Sequence, residues 1–119
     1  MTTPTPLPYT PALRAGDWVI VSGQLGMVDG ALVTGGFEDE LRQAFTNLEA
    51  RLADAGATLA DVVKVTVFLR HLSTDFPRLN AIYADTFATP FPARSAIGVA
   101  ELPLGGLVEI EAWAYTGAR

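Results

Sequence analysis

Eight consecutive residues, Val62-Val63-Lys64-Val65-Thr66-Val67-Phe68-Leu69, are β-branched or aromatic at six positions, which commits a chain of this length to building around a sheet. Other segments fit beside this strand. Asp17 to Gln24 reads as a strand, as do Ala93 to Ala100 and Leu107 to Tyr115, with a short additional strand at Ala12–Ala15. Between them lie two stretches of helical period. From Glu38 to Ala55, Leu41, Phe45, Leu48 and Leu52 share one stripe, and Gly56 supplies the stop. From Thr74 or Asp75 to Phe87 the stripe is Phe76, Leu79, Ile82, Tyr83 and Phe87, with Pro77 in the first turn. Asp29-Gly30 and Pro103-Leu104-Gly105-Gly106 are turns. The order β-α-β-α-β-β, in 119 residues without a linker, predicts one α+β domain over 1–119, a sheet with both helices on one face.

Alternation splits the strands into two sets. Val19, Val21, Val63, Val65, Val67, Leu69, Ile97, Val99, Val108, Ile110 and Ala112 form an apolar set that can take the helices. The other set holds Trp18, Ile20, Ser22, Val62, Lys64, Thr66, Phe68, Arg94, Ala96, Gly98, Leu107, Glu109, Glu111, Trp113 and Tyr115. Two helices cover one face only. Trp18, Ile20, Phe68 and Trp113 would leave a large apolar patch on a monomer, so burial against identical subunits is expected.

Composition removes several functions. With no cysteine and a single histidine, His71, neither a disulfide, a thiolate zinc site nor a Cys nucleophile is available, and no metal is expected. Thirteen acidic residues against eight scattered basic ones, a net charge of −5, argue against nucleic-acid binding. No apolar run reaches the roughly 18 residues of a membrane span. The Thr/Pro-rich start from Met1 to Tyr9 lacks a secretion signal, so a cytoplasmic location is expected by default.

Four groups of residues carry chemistry worth weighing. Arg94, in Phe91-Pro92-Ala93-Arg94-Ser95, opens a strand after a Pro-rich loop, and its guanidinium can grip a carboxylate bidentately. The plain alternative is a structural ion pair with Glu109 or Glu111. Those two glutamates point to one face, about 7 Å apart along their strand, and burial would fit one of them for proton transfer. Their plain alternative is a bridge to Lys64 or Arg94. Lys64, the only lysine, is either a desolvated amine suited to a Schiff base or the partner of a glutamate. Ser22-Gly23-Gln24 offers a hydroxyl and a close-approach backbone, but a serine triad would rest wholly on His71, which reads as a loop residue.

Taken together, Pro8-Tyr9, Val21-Ser22-Gly23-Gln24, Asn47-Leu48, Val62 to Leu69, Asn80-Ala81-Ile82-Tyr83, Pro92-Ala93-Arg94-Ser95 and Val108-Glu109-Ile110-Glu111-Ala112 resemble the RidA/YjgF family in order and spacing over essentially the whole chain. The Pro-Ala-Arg-Ser element followed by Val-Glu-Ile-Glu-Ala is the specific part. The resemblance implies a chorismate-mutase-like mixed sheet, a homotrimer around a central sheet barrel, and clefts between subunits. It also implies cofactor-free hydrolysis of 2-aminoacrylate-type enamines and imines to 2-keto acids and ammonia. Arg94 would then bind the carboxylate of a small-molecule substrate and Glu109 would assist water or proton transfer. Tyr9, Ser22, Asn80 and the backbone carbonyl of Ala96 would complete the cleft. The chain departs from the family at Leu7 and Pro11, which flank Tyr9 and stand where Gly and Gln are frequent. Some members have been described as ribonucleases, against which the acidic balance argues; a non-catalytic trimer binding small carboxylates is the other reading.

Overall fold

The computed structural model describes residues 7–119; most of the Thr/Pro-rich start lies outside them. The chain runs β1 (Ala12–Ala15), β2 (Trp18–Leu25), β3 (Met27–Val28), β4 (Ala31–Leu32), α1 (Phe37–Asp54), β5 (Val62–Leu69), α2 (Leu72–Thr86), β6 (Ala93–Gly98) and β7 (Val108–Tyr115). Five strands form one mixed sheet in the order β1-β2-β7-β5-β6. Only β5 and β6 pair in parallel, across the α2 crossover. The small β3–β4 hairpin, not expected as strands, closes on Asp29-Gly30, where both residues have positive φ (52° and 83°) as a two-residue hairpin turn requires.

The two helices pack on one sheet face. Leu41, Ala44, Phe45, Leu48 and Leu52 of α1 and Leu79, Ile82 and Tyr83 of α2 are buried against Val19, Val21, Val65, Val67, Leu69, Val108, Ile110 and Ala112. Three acidic residues in the first turn of α1 and Arg51 in its last turn suit the helix dipole. Its C-terminus closes in a Schellman motif: Ala57 N–H donates to the Leu52 carbonyl (2.9 Å) and Gly56 N–H to that of Ala53 (3.0 Å). Gly56 has φ +82° there, and a Cβ would lie 3.2 Å from Arg14 Nη2. Gly56→Ala should therefore cost roughly 1–2 kcal/mol and lower the melting temperature by several degrees. An unchanged thermal melt would contradict this account of the cap.

Three expectations about phase need correction. First, α2 begins at Leu72 with His71 as its N-cap, two residues before Thr74. Leu72 packs against the core and draws the helix back, leaving Pro77 inside it, where the Ser73 carbonyl loses its usual donor. Second, a bulge between Val62 and Lys64 puts Val62, not Val63, on the core side. Third, the parallel register sets Arg94 beside Val65 and Ala96 beside Val67, so these residues face α2. Ile97, beside Phe68, faces away and is 44% exposed. β6 is an edge strand, and the apolarity of Ile97 and Val99 misreports which side the helices cover.

Trp18, Trp113 and Tyr115 cluster on the face the helices leave open, with ring centroids 6.0 Å (Trp18–Trp113) and 5.0 Å (Trp18–Tyr115) apart. Both tryptophans remain about two-fifths exposed there (40% and 43%). No helix among the described residues is long and apolar enough to cross a membrane.

Candidate functional site

Glu109 stands at the centre of the sheet, paired in register with Phe68 on β5 and Leu25 on β2. Its side chain is on the open face, half-buried, and burial pushes its carboxyl above the usual glutamate range, with the Glu111 carboxylate adding to the shift. Space for that carboxyl comes from β2. The strand is irregular between Val21 and Gln24, and a Cβ on Gly23 would lie 2.8 Å from the Glu109 carboxyl carbon. A side chain here would therefore displace the Glu109 carboxyl from its present position.

The N-terminal segment is tied to the same spot. Ser22 N–H donates to the Pro11 carbonyl (2.9 Å) and Ser22 Oγ–H to the Thr10 carbonyl (2.6 Å), which sets Tyr9 beside Glu109. Ser22 therefore already uses its hydroxyl proton to hold the chain. Tyr9, Ser22, Gly23, Phe68, Leu102, Pro103, Glu109 and Glu111 line a cleft of about 390 Å³. A neighbouring cleft of about 540 Å³ shares Tyr9 and Glu109 and includes Leu7 and Pro11, so both departures from the family pattern shape its wall. The far wall is held by α1. Buried Glu40 accepts from Leu107 N–H (2.9 Å), and Asn47 Nδ2 donates to the Leu25 and Met27 carbonyls (both 2.9 Å).

Arg94 lies elsewhere. Its guanidinium carbon sits 4.9 Å from the centroid of the Tyr83 ring and 5.6 Å from that of Phe76, both on α2. Among the described residues it forms no ion pair and no side-chain hydrogen bond, so the alternative of a bridge to Glu109 or Glu111 within the chain is removed. Arg94 shares a cleft of about 250 Å³ with Asn80, Tyr83, Ala84, Phe91 and Pro92. Ala96 lies on the same edge, in a shallow depression with Leu72, Ser73, Phe76 and Pro77. Lys64 meets neither glutamate: its Nζ donates to Ser95 Oγ (3.0 Å) and the Val65 carbonyl (3.3 Å).

The candidates thus fall into two groups. Tyr9, Ser22 and Glu109 meet at the open face, while Arg94, Asn80 and Ala96 line the β6–α2 edge. Val65 neighbours Arg94 and Phe68 neighbours Glu109, three residues apart on β5, so the two charges lie on opposite faces of the sheet. One group offers a cation with its N–H edges unused and the other a carboxyl inclined to hold a proton. Sequence reasoning missed the aromatic support of Arg94. Phe76 and Tyr83 read there only as members of one apolar stripe, and their spacing of seven puts both rings on one side of α2, facing the arginine's strand. No group of three or more metal-ligating side chains exists among the described residues.

Glu109→Gln should report on the raised carboxyl. The folded chain favours the neutral acid, so stability is lost as pH rises through Glu109's elevated pKa. Glutamine stays neutral and escapes that loss. Thermal melts should show the variant at least as stable as wild type near neutral pH, with the gap vanishing below the ordinary glutamate range. A variant less stable at neutral pH would mean a carboxylate already paired.

Residues 2–116 match the family model described as Endoribonuclease L-PSP. A 2-iminobutanoate/2-iminopropanoate deaminase of Dermatophagoides farinae is 48% identical over 111 residues, covering 91% of this chain and 86% of that one. The Homo sapiens protein of the same name is 43% identical over 112 residues, with 92% and 81% covered. The crystal structure of RidA from an Antarctic Psychrobacter superposes with a TM-score of 0.87 at 41% identity, covering 94% of this chain and 91% of that one.

Proposed function

The chain belongs to the endoribonuclease L-PSP family, that of the RidA/YjgF proteins, and from that premise we propose that it is an imine deaminase. It hydrolyses 2-imino acids and their enamine tautomers to 2-keto acids and ammonia without a cofactor. The observation that carries this reading is Arg94, a half-buried guanidinium resting on two aromatic faces with no anion of its own in the described chain. Such a group is prepared for a planar carboxylate. The names of the relatives supply the substrate class.

The site is completed by assembly. Arg94 and Glu109 cannot meet within one subunit, and the open sheet face with Trp18, Trp113 and Ile97 needs a cover. A closed trimer of single-domain subunits, open faces inward, answers both needs: Arg94 of one subunit then faces Glu109 of the next across a cleft.

In this cleft Arg94 anchors the substrate carboxylate and fixes the imine carbon in place. An enamine first takes a proton on its terminal carbon and becomes the imine. Water adds to the carbon of the N-protonated imine while Glu109 accepts the water's proton. Glu109 then returns that proton to nitrogen, and as the C–N bond breaks the hydroxyl proton passes to the freed Glu109 carboxylate, so that the carbonyl forms and ammonia leaves, taking up that proton as ammonium. A carboxyl with a raised pKa is suited to both transfers. Tyr9, Ser22, Asn80 and the Ala96 carbonyl bound the cleft and hold water. The test couples an amino-acid oxidase, as the source of imine, to the purified protein. Faster keto-acid and ammonia release than the spontaneous rate is expected, together with a trimer mass by light scattering. A monomer at micromolar concentration, or no acceleration, would end this reading.

A further inference from the structure

We infer that Tyr83, assisted by Phe76, is the positioning residue for Arg94, holding its guanidinium flat so that the N–H edges point to an incoming carboxylate. The inference rests on the reading of Arg94 as the carboxylate anchor. A half-buried cation without an ionic partner needs another source of stabilisation, and the two ring faces at 4.9 and 5.6 Å are what the chain supplies. The Tyr83 ring is itself immobilised. It packs on Phe87 (4.7 Å between centroids), Phe45 (6.0 Å) and Phe91 (6.4 Å), and it is only 5% exposed. Its platform is therefore as rigid as the core.

The phenol group indicates which part of Tyr83 is used. Its oxygen is buried and makes no hydrogen bond among the described residues, and burial pushes its pKa up to about 12, with nearby Arg94 drawing it down only in part. The hydroxyl neither donates nor ionises near neutral pH, so the ring face is the functional element. A long arginine side chain that is free in solution loses much rotamer freedom on gripping a ligand. Stacking removes that freedom beforehand, equally for substrate and product, and so acts on binding more than on the chemical step.

The test measures pyruvate affinity by calorimetry, and KM and kcat with oxidase-generated imines, on the assembled protein. Tyr83→Phe keeps the ring and should stay within about twofold of wild type, with stability unchanged or raised. Tyr83→Leu keeps the apolar bulk but removes the ring, and should weaken pyruvate binding and raise KM on the order of tenfold, with kcat changed much less. In an Arg94→Ala background, Tyr83→Leu should weaken residual binding no further. If Tyr83→Leu does not fold, Phe76→Leu, at a partly exposed site, should show the same shift in KM at smaller size; an unshifted KM there would overturn the inference. Three other results overturn it: Tyr83→Leu binding as wild type, Tyr83→Phe losing as much as Tyr83→Leu, or an equal loss without Arg94. Should Arg94→Ala itself bind pyruvate normally, it is the anchor reading that fails.

Discussion

Arg94→Ala should abolish measurable keto-acid release above the spontaneous rate, while leaving the fold and the assembly in place. Truncating one member of a sheltered, hydrogen-bonded charge pair costs about 2–5 kcal/mol or more, roughly 30-fold to several-thousand-fold in binding and turnover. Spontaneous imine hydrolysis hides what little remains. Arg94→Lys should recover little, because an ammonium keeps the charge but loses the planar fork. The stability side of the expectation follows from the geometry. Arg94 bridges no carboxylate in the described chain, so its removal takes away the ring contacts alone. Stopped-flow loss of imine, with melts and light scattering on the same samples, checks both sides together. Near-normal deamination, or dissociation into monomers, would return Arg94 to a structural role.

The second large effect is recovery of activity by mixing two impaired variants. Arg94 and Glu109 lie on opposite faces of one sheet, so in the proposed trimer each cleft draws them from two subunits. Arg94→Ala and Glu109→Gln alone each impair every cleft. Refolded together in equal amounts, they place an intact Arg94 opposite an intact Glu109 in about one cleft in four, the product of two halves in a randomly mixed cyclic trimer. About a quarter of wild-type turnover should return, against little for either variant alone. The mixture shows no gain over its components if both residues act from the same subunit, and then the shared-cleft geometry is wrong.

How much of this was legible in the residues differs by level. The helix α1 follows from Leu41, Phe45, Leu48 and Leu52 with Gly56 beyond them, and β5 from its β-branched run; both hold in the structure within a residue or two. The open face also follows: two helices and five strands leave Trp18 and Trp113 without cover, and both are exposed on it. Arg94 and Glu109 stand out as residue types in a pattern, before any coordinate is known.

What the tertiary structure alone decided is phase. Alternation has a period of two, so it sorts a strand into two sets without saying which set meets the helices. One bulge exchanges Val62 for Val63, and the parallel register beside β5 turns Arg94 toward α2 and Ile97 away from it. The same limit hid the stack of Arg94 on Tyr83 and Phe76, since a helical stripe reads as core whether it meets a valine or a guanidinium. Residue spacing sets local period, which backbone geometry dictates. Register, bulges and crossovers set the relation between periods, and they depend on hydrogen bonds and packing between segments far apart in the chain.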